Sequence, residues 1–206
     1  MLTKADIEKP RTPRGLRLFV RSRIRQAESD RSERHKAFLN KGLYKYFNNE
    51  IIPLSVFSLL HFRSGVLIKP VLGNQGFDAE ILNDQFEIIG HIEITNPHDG
   101  VAAHRDGKLL VERGFSEINV FSPGSDLTRM FSNIFRTCKK KSEKDYGDSI
   151  LVITVNFSPP SKDFMHFYLR RSSDLQAKLR EITFRAKEVH LLIMPLRRLY
   201  LVQAVQ

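Results

Sequence analysis

The chain has 206 residues, of which 41% are apolar, and this is enough for one globular domain with a core and an extension. Its formal net charge of +10 favours a polyanionic partner, most simply nucleic acid. A single cysteine, Cys138, excludes an intrachain disulfide framework, the N-terminus has no apolar signal core, and no apolar run is long enough for a membrane span. We therefore expect a cytoplasmic protein that does not enter a membrane.

The N-terminal segment is the most basic part of the chain. Residues 1–36 hold 11 Lys or Arg and five acids, so we expect a basic arm over residues 1–36 and an α/β domain over residues 37–206. Between Arg11 and Arg25 there is no acid, and the apolar residues there fit a strand and a helix equally well. The arm is interpreted as a segment that lies along phosphates, with a solvated basic edge as the alternative. Its candidate nucleic-acid-binding residues are Arg11, Arg14, Arg17, Arg21, Arg23 and Arg25.

The next elements are predicted to be helical and then extended. A helix is expected from Ser29 to Asn49, interrupted at Pro53, with a further turn or two over Leu54–Phe62. Val66–Leu72 is a strand candidate.

Two short segments that follow each place an acid among apolar residues. Gly76–Leu82 contains Asp78, Phe86–Thr95 contains Glu93, and the polar turn Asn83-Asp84-Gln85 joins them. A carboxylate on a half-buried strand costs desolvation energy unless a partner compensates it. Two such carboxylates on one face of a hairpin are typical of a site for a divalent metal.

The register of this hairpin decides whether the two acids meet. A two-residue turn would place Asp78 opposite Ile89, and a four-residue loop would place it opposite His91; both put Asp78 and Glu93 on the same face. A longer loop or a bulge would bring the acids closer, whereas a three-residue loop would put them on opposite faces. The alternative is a pair of surface acids on the polar side of an antiparallel sheet.

The rest of the chain alternates between the two kinds of element. Asn96–Gly114 is predicted to be loop-rich, and Phe115–Phe121 to be a short strand. A helix begins at Ser125 and ends near Gly147, with Cys138 on its apolar stripe and a basic last turn. The expected elements after this helix are a buried strand over Ile150–Phe157, a stop at Ser158-Pro159-Pro160, a strand over Phe164–Leu169, a helix over Ser173–Ala186, and strands over Val189–Met194 and Arg198–Val202.

This order of elements resembles the PD-(D/E)XK nuclease superfamily, whose restriction-endonuclease-like fold has an αβββαβ core with a mixed central sheet. The matching residues are Asp78 in Gly-Phe-Asp-Ala and, fifteen residues on, Glu93-Ile94-Thr95. The helix with Phe131-Ser-Asn-Ile-Phe-Arg and the strand from Ile150 also fit, so the resemblance covers roughly residues 40–157.

The resemblance implies a metal-dependent nuclease that acts on nucleic acid, with DNA favoured over RNA and with a homodimer compatible with the family. Asp78 and Glu93 would ligate Mg²⁺ or Mn²⁺, and the backbone carbonyl of Ile94 would be a further ligand. Glu80, which shares the face of Asp78, is a candidate second-shell or metal ligand, and a surface acid is its alternative interpretation. Glu50, at the end of the first long helix, is a candidate for an additional carboxylate, as in some relatives, and a solvated surface acid is its alternative interpretation.

Thr95 departs from the family pattern, which places a lysine at this position. A threonine hydroxyl can form a hydrogen bond but cannot supply charge. The helix lysines Lys139, Lys140 and Lys141 are therefore candidates for the missing cation, with Lys140 favoured for catalysis and the other two for nucleic-acid binding. The second hypothesis is a nucleic-acid-binding or protein-interaction module on a nuclease-like core that has lost its chemistry. The other metal-binding candidates are His91 and the loop cluster of His98, Asp99, His104 and Asp106.

Overall fold

A computed structural model describes residues 2–73, 75–97, 100–113, 123–156, 162–194 and 196–204, without the side chains of 100–104, 123–127 and 162–170. The contacts divide the chain into two compact units, Met1–Ile94 with Asp99–Ile118 (unit 1), and Thr95–His98 with Asn119–Gln206 (unit 2). Both units combine helices with strands, which confirms the α/β class. Within the described ranges, no helix is long and apolar enough to cross a membrane.

Unit 1 is mainly helical and has three strands within its described residues. Its helices are α1 (Lys4–Glu8), α2 (Pro13–Ser29), α3 (Arg31–Phe38), α4 (Leu43–Tyr46), a π-helical segment (Phe47–Ile51), α5 (Ile52–His61) and α6 (Gly100–Arg113). Its strands are β1 (Leu67–Pro70), β2 (Ala79–Leu82) and β3 (Ile88–Thr95), and β2 pairs antiparallel with both of the others.

Helix α2 resolves the ambiguity of the basic segment in favour of a helix. The side chain of Thr12 accepts a hydrogen bond from the N–H of Gly15, and Pro13 occupies the first turn, where its missing N–H costs nothing. Leu16 and Val20 are fully buried on one face of the helix. Residues 1–36 therefore contribute to the core of unit 1.

The helix expected over Ser29–Asn49 is broken, and the interruption expected at Pro53 is absent. Asn40 and Gly42 have positive φ angles of 50° and 56°, and they separate α3 from α4. From Leu43 the chain stays helical to His61, with Pro53 in the first turn of α5. The wider π-helical turn before Pro53 accommodates the missing N–H that would otherwise end the helix.

The segment Asn96–Gly114 was expected to be loop-rich, but it contains helix α6. The turn-forming Asp-Gly pair at Asp106-Gly107 lies inside this helix. A Cβ atom at Gly107 would collide with the backbone carbonyl of Phe38, at the end of α3. The glycine therefore serves close packing of α6 on α3 and not a turn, which a reading of local sequence cannot distinguish.

Unit 2 places two helices against a second group of three strands. Its elements are α7 (Pro123–Ser142), β4 (Asp145–Val155), α8 (Lys162–Leu179), β5 (Arg185–Ile193) and β6 (Arg198–Ala204). Strands β4 and β5 are parallel and β5 and β6 antiparallel, so the strand pairing is mixed. Residues 150–155 of β4 are all buried, as their apolar run predicts, and Cys138 lies in the same core. Burial raises the pKa of its thiol to about 12.

Two predictions for unit 2 are wrong. Phe164–Leu169, expected as a strand, belongs to helix α8, which ends at Leu179 and not at Ala186. Leu175 and Leu179 anchor this helix in the core, so tertiary packing outweighs the strand propensity of the aromatic run. Ala186 instead begins the buried face of β5. The predictions for Phe115–Phe121 and for the stop at residues 158–160 lie outside the described residues.

Candidate functional site

The hairpin that carries the two acids is closed by a turn built around Asn83. Its side-chain oxygen accepts hydrogen bonds from the N–H groups of Gln85 (3.0 Å) and Glu87 (2.8 Å), and Phe86 adopts a positive φ of 64°. Five residues therefore separate β2 from β3, two more than the predicted turn. A bulge between Ile81 and Leu82 shifts the register by one residue, so that the acids return to neighbouring positions.

This register brings Asp78 beside Glu93. Ala79 pairs with Ile92, and the N–H of Asp78 donates to the carbonyl of Ile92 at 2.8 Å. The carboxylate of Asp78 accepts the N–H of Ile94 at 2.7 Å. Asp78 is thus bonded to the residues on both sides of Glu93. Neither simple hairpin register applies, and the bulge produces the closer approach that was considered as an alternative.

Glu50 is brought to the same place by the helix of unit 1. It lies in the π-helical segment, where Phe47 and Ile51 are fully buried and hold the segment against the core. Burial, together with the negative charges of Asp78 and Glu93, raises the pKa of Glu50 to about 8, and the charge of Lys45 opposes this shift. These effects require the carboxylates of both strand residues to lie near Glu50. We call Glu50, Asp78 and Glu93 the acidic cluster.

The electrostatics of the acidic cluster have a clear chemical consequence. Three carboxylates in a half-buried position repel one another and lose hydration, so one of them keeps its proton at neutral pH. The raised pKa identifies Glu50 as the group that holds it. A cation placed among these oxygens would remove the repulsion and displace the proton.

Thr95 closes β3 and is buried, with only 4% of its surface exposed. Its backbone carbonyl accepts a hydrogen bond from the hydroxyl of Thr154 at 3.2 Å. Its own hydroxyl has no hydrogen-bond partner among the described residues. The position where the family pattern has a lysine therefore carries a polar group without charge.

Glu80 and His91, which face each other across β2 and β3, have other neighbours. Glu80 forms an ion pair of 2.9 Å with Lys69, its direct cross-strand partner on β1. The ring of His91 packs on that of Phe77, with 4.1 Å between their centroids. Of the predicted loop cluster, the side chain of Asp106 forms an ion pair with Arg105, and the side chains of His98, Asp99 and His104 lie outside the description.

The cations of the chain differ in their surroundings. Lys139 and Lys140 on α7 are exposed, and the ammonium of Lys141 lies 5.7 Å from the ring centroid of Tyr146. In unit 1, Lys45 precedes Glu50 by five residues and acts on its carboxyl group. Lys45 was not a candidate from the sequence, because residues five apart do not face each other on a regular α-helix.

The arginines of the N-terminal segment fall into two groups. Arg11 stacks on Phe19 at 3.9 Å and donates to backbone carbonyls of residues 6, 7 and 9, while Arg23 forms an ion pair of 3.0 Å with Asp6. Arg17 is half-buried and donates to the hydroxyl of Ser55. A second group of three is exposed and has no partner among the described residues, and these are Arg14, Arg21 and Arg25. Their spacing of seven and four places them on one face of α2.

No protein-family model matches this chain, and no curated protein or solved structure matches it either.

Proposed function

We propose that this chain is a metal-dependent nuclease related to the PD-(D/E)XK superfamily, which hydrolyses phosphodiester bonds in DNA. The acidic cluster carries the proposal, because Glu50 is held beside Asp78 and Glu93 at an energetic cost that a bound cation would relieve. A structural role for these acids does not explain why three of them are placed together in a chain with a net charge of +10.

The order of elements supports the proposed family. Helix α5, the antiparallel strands β1 to β3, helix α7 and strand β4 occur in the same order as in the αβββαβ core, with helix α6 inserted between β3 and α7. Asp78 lies just before the second of these strands and Glu93 in the third, which are the positions of the family's acids. Helix α6 and the elements after β4 are additions to that pattern.

The chemistry of the acidic cluster suits a divalent metal with oxygen ligands, because all three residues offer carboxylates. Asp78, Glu93 and Glu50 would hold Mg²⁺ or Mn²⁺ by their carboxylates, and the resemblance adds the carbonyl of Ile94. When bound, the metal would polarise a phosphate and lower the pKa of a water molecule. The proton on Glu50 would leave as the carboxyl becomes a ligand, so binding would tighten as pH rises.

The other residues of the chain would position the nucleic acid and supply charge. The exposed arginines of α2 are suited to phosphates of a duplex backbone, because they have no partners within the described residues. Since Thr95 brings no charge, a lysine must replace it, and the candidates are Lys140 from the family pattern and Lys45 from its effect on Glu50. Glu80, paired with Lys69, would act outside the ligand set.

A second candidate function is a nucleic-acid-binding module without catalysis. Thr95 favours this second function, because its side chain is buried and uncharged and so supplies no charge to a reacting phosphate. The two functions differ in one observable, which is cleavage that depends on metal.

The test uses the full chain with Mg²⁺ or Mn²⁺ at millimolar concentration. We expect the metal to raise the melting temperature and to support cleavage of plasmid DNA. At a metal concentration 100 times the dissociation constant, binding stabilises the folded state by about 2.7 kcal/mol. Asp78→Asn should abolish cleavage and most of the thermal shift, and leave the metal-free stability equal or higher, because an amide oxygen still accepts the N–H of Ile94.

The matched control is Asp84→Asn, which removes an exposed acid from the turn of the same hairpin and should change neither property. Absence of any thermal shift at millimolar metal would refute the metal site. A shift without cleavage would favour the binding module.

A further inference from the structure

Helices α7 and α8 of unit 2 enclose a surface groove of about 930 Å³. Its floor includes Leu175, which is buried in the core, and Phe131, which packs on that core. Every lining residue belongs to unit 2, and the acidic cluster belongs to unit 1. The groove therefore needs an explanation of its own.

Two aromatic rings line the groove on its α7 side. Phe131 and Phe135 are four residues apart on α7, so they lie one above the other on the same helix face. Phe135 is 37% exposed, which is high for a phenylalanine on a helix with a well-formed apolar stripe. The exposed ring offers a flat apolar surface that nothing in the described part of the chain covers fully.

Basic side chains stand on both walls of the same groove. Arg136 and Lys139 come from α7, and Arg171 and Lys178 come from α8. Two acids also line it, Asp174 and Glu181, and Asp174 forms an ion pair of 3.4 Å with Arg171. The lining retains a net charge of +2, beside apolar rings.

We propose that the α7–α8 groove binds a single-stranded segment of nucleic acid. Bases would stack on Phe135 and Phe131 while the cations of the two walls contact the phosphates, which is how sequence-tolerant single-strand sites work. A duplex does not suit the groove, because paired bases have no free faces to place on the rings. The inference rests on the proposed function only for the class of ligand.

The test measures binding without cleavage. A fluorescein-labelled oligo-dT is titrated with the full chain in EDTA at several salt concentrations, and binding is followed by anisotropy. Phe135→Ala should weaken binding by about 5- to 150-fold without changing the salt dependence, since stacking contributes about 1–3 kcal/mol per base. Phe135→Leu, which keeps the bulk and loses the aromatic face, should lose most of the same affinity.

The phosphate contacts predict a different effect. Lys178→Ala should reduce the log–log salt slope by about 0.7, the value for one phosphate of a single strand. The controls are Phe86→Ala in the unit 1 hairpin, which removes a ring with 65% exposure, and Lys187→Ala on β5. Both controls should leave affinity and slope close to those of the wild type.

A strand of abasic sites with the same length and charge separates stacking from charge. It should bind the wild type about 5- to 150-fold more weakly than oligo-dT does and should not distinguish Phe135→Ala from the wild type. Equal binding of the two strands would overturn the proposal. So would an acidic amphipathic peptide that binds the wild type and is lost in Phe135→Ala while oligo-dT binding is unchanged.

The result of this binding test does not depend on whether the acidic cluster binds metal. Stacking in this groove with no metal-dependent cleavage would refute the nuclease and leave the inference standing. Cleavage without an effect of Phe135→Ala would do the reverse.

Discussion

Glu50 keeps its proton at neutral pH because its carboxyl is half-buried beside the charges of Asp78 and Glu93. The cost of ionising it is therefore a property of the folded state alone. An unfolded chain exposes Glu50 to water, where its pKa returns to the ordinary value near 4.5.

This difference predicts how the stability of the metal-free chain depends on pH. Below about pH 4.5 both states carry the proton on Glu50; between 4.5 and about 8 only the folded state binds it, so this contribution to stability falls as pH rises through that window. Glu50→Gln removes the titration, and at pH 8.5 it should be more stable than the wild type by on the order of 3 kcal/mol, measured by urea unfolding in EDTA.

Near pH 4.5 the Glu50→Gln variant and the wild type should have similar stability, because the wild-type carboxyl is then protonated in both states. Glu143→Gln, at an exposed position of unit 2, should follow the wild type at every pH. A difference between Glu50→Gln and the wild type that stays constant from pH 5 to 9 would show that Glu50 has an ordinary pKa.

If the chain is the proposed nuclease, kinetics can identify the lysine that supplies the charge absent at Thr95. Loss of a well-placed charge stabiliser costs a factor of about 100–1000 in rate, with little effect on DNA affinity. We expect this loss in one of two single variants, Lys45→Ala or Lys140→Ala, measured as single-turnover cleavage with metal. Lys139→Ala and Lys141→Ala are measured in the same way, so that all four candidate lysines are tested.

Cleavage that survives the loss of all four lysines would show that the charge comes from elsewhere. If the wild type does not cleave, Thr95→Lys tests the binding-module alternative, because a lysine at the family position should then restore measurable activity.

At the scale of elements, two irregularities assemble the site. The bulge between Ile81 and Leu82 sets the register that brings Asp78 to Glu93, and the π-helical turn Phe47–Ile51 presents Glu50. Both are of the kind that is over-represented at functional sites.

Helix α6 offers a test of packing between elements. Gly107→Ala should lower the melting temperature of the chain and cost about 1–3 kcal/mol, because the added methyl would collide with the backbone carbonyl of Phe38 and force the helices apart. Alanine is otherwise the better helix former, so a substitution without this contact would stabilise α6.

Gly76→Ala is the control for this prediction, since its Cβ would meet no atom within 4 Å. Equal or higher stability of Gly107→Ala would contradict the close approach of α6 and α3.

At the scale of the whole molecule, the charge of +10 has a spatial pattern that composition does not reveal. Arg11 and Arg23 are engaged inside unit 1, whereas Arg14, Arg21 and Arg25 are exposed on one face of α2. Deletion of residues 1–26 would remove these arginines, but it would also remove Leu16 and Val20 from the core and so disturb the fold.

Substitution of the exposed face replaces that deletion. The triple variant Arg14→Ala, Arg21→Ala, Arg25→Ala should reduce the log–log salt slope for duplex DNA by about 2.7, at about 0.9 for each phosphate contact, and should keep its melting temperature. Arg11→Ala should do the opposite, with a lower melting temperature and an unchanged slope. An unchanged slope in the triple variant would remove α2 from the DNA interface.

Local patterns predicted the long elements and singled out two acids of the acidic cluster. The apolar run from Ile150 and the stripe with Cys138 predict β4 and α7, because burial on both faces of a strand gives a continuous apolar run and burial on one face of a helix gives a helical repeat. Asp78 and Glu93 stand out because acids are rare among strand residues that are otherwise apolar. The glycine of α6 and the aromatic run of α8 led to wrong predictions of a loop and a strand, because contacts distant in sequence decide the conformation of both segments.

The sequence by itself therefore determined the α/β class, the basic character and the two strand acids, since each depends on residue type and spacing within a single element. Tertiary structure alone decided that Glu50 joins these acids, that Arg11 and Arg23 are internal, and that Phe135 lies among cations from another helix. The physical reason is that a carboxyl's pKa, an arginine's availability and the lining of a groove depend on neighbours brought together from distant parts of the chain.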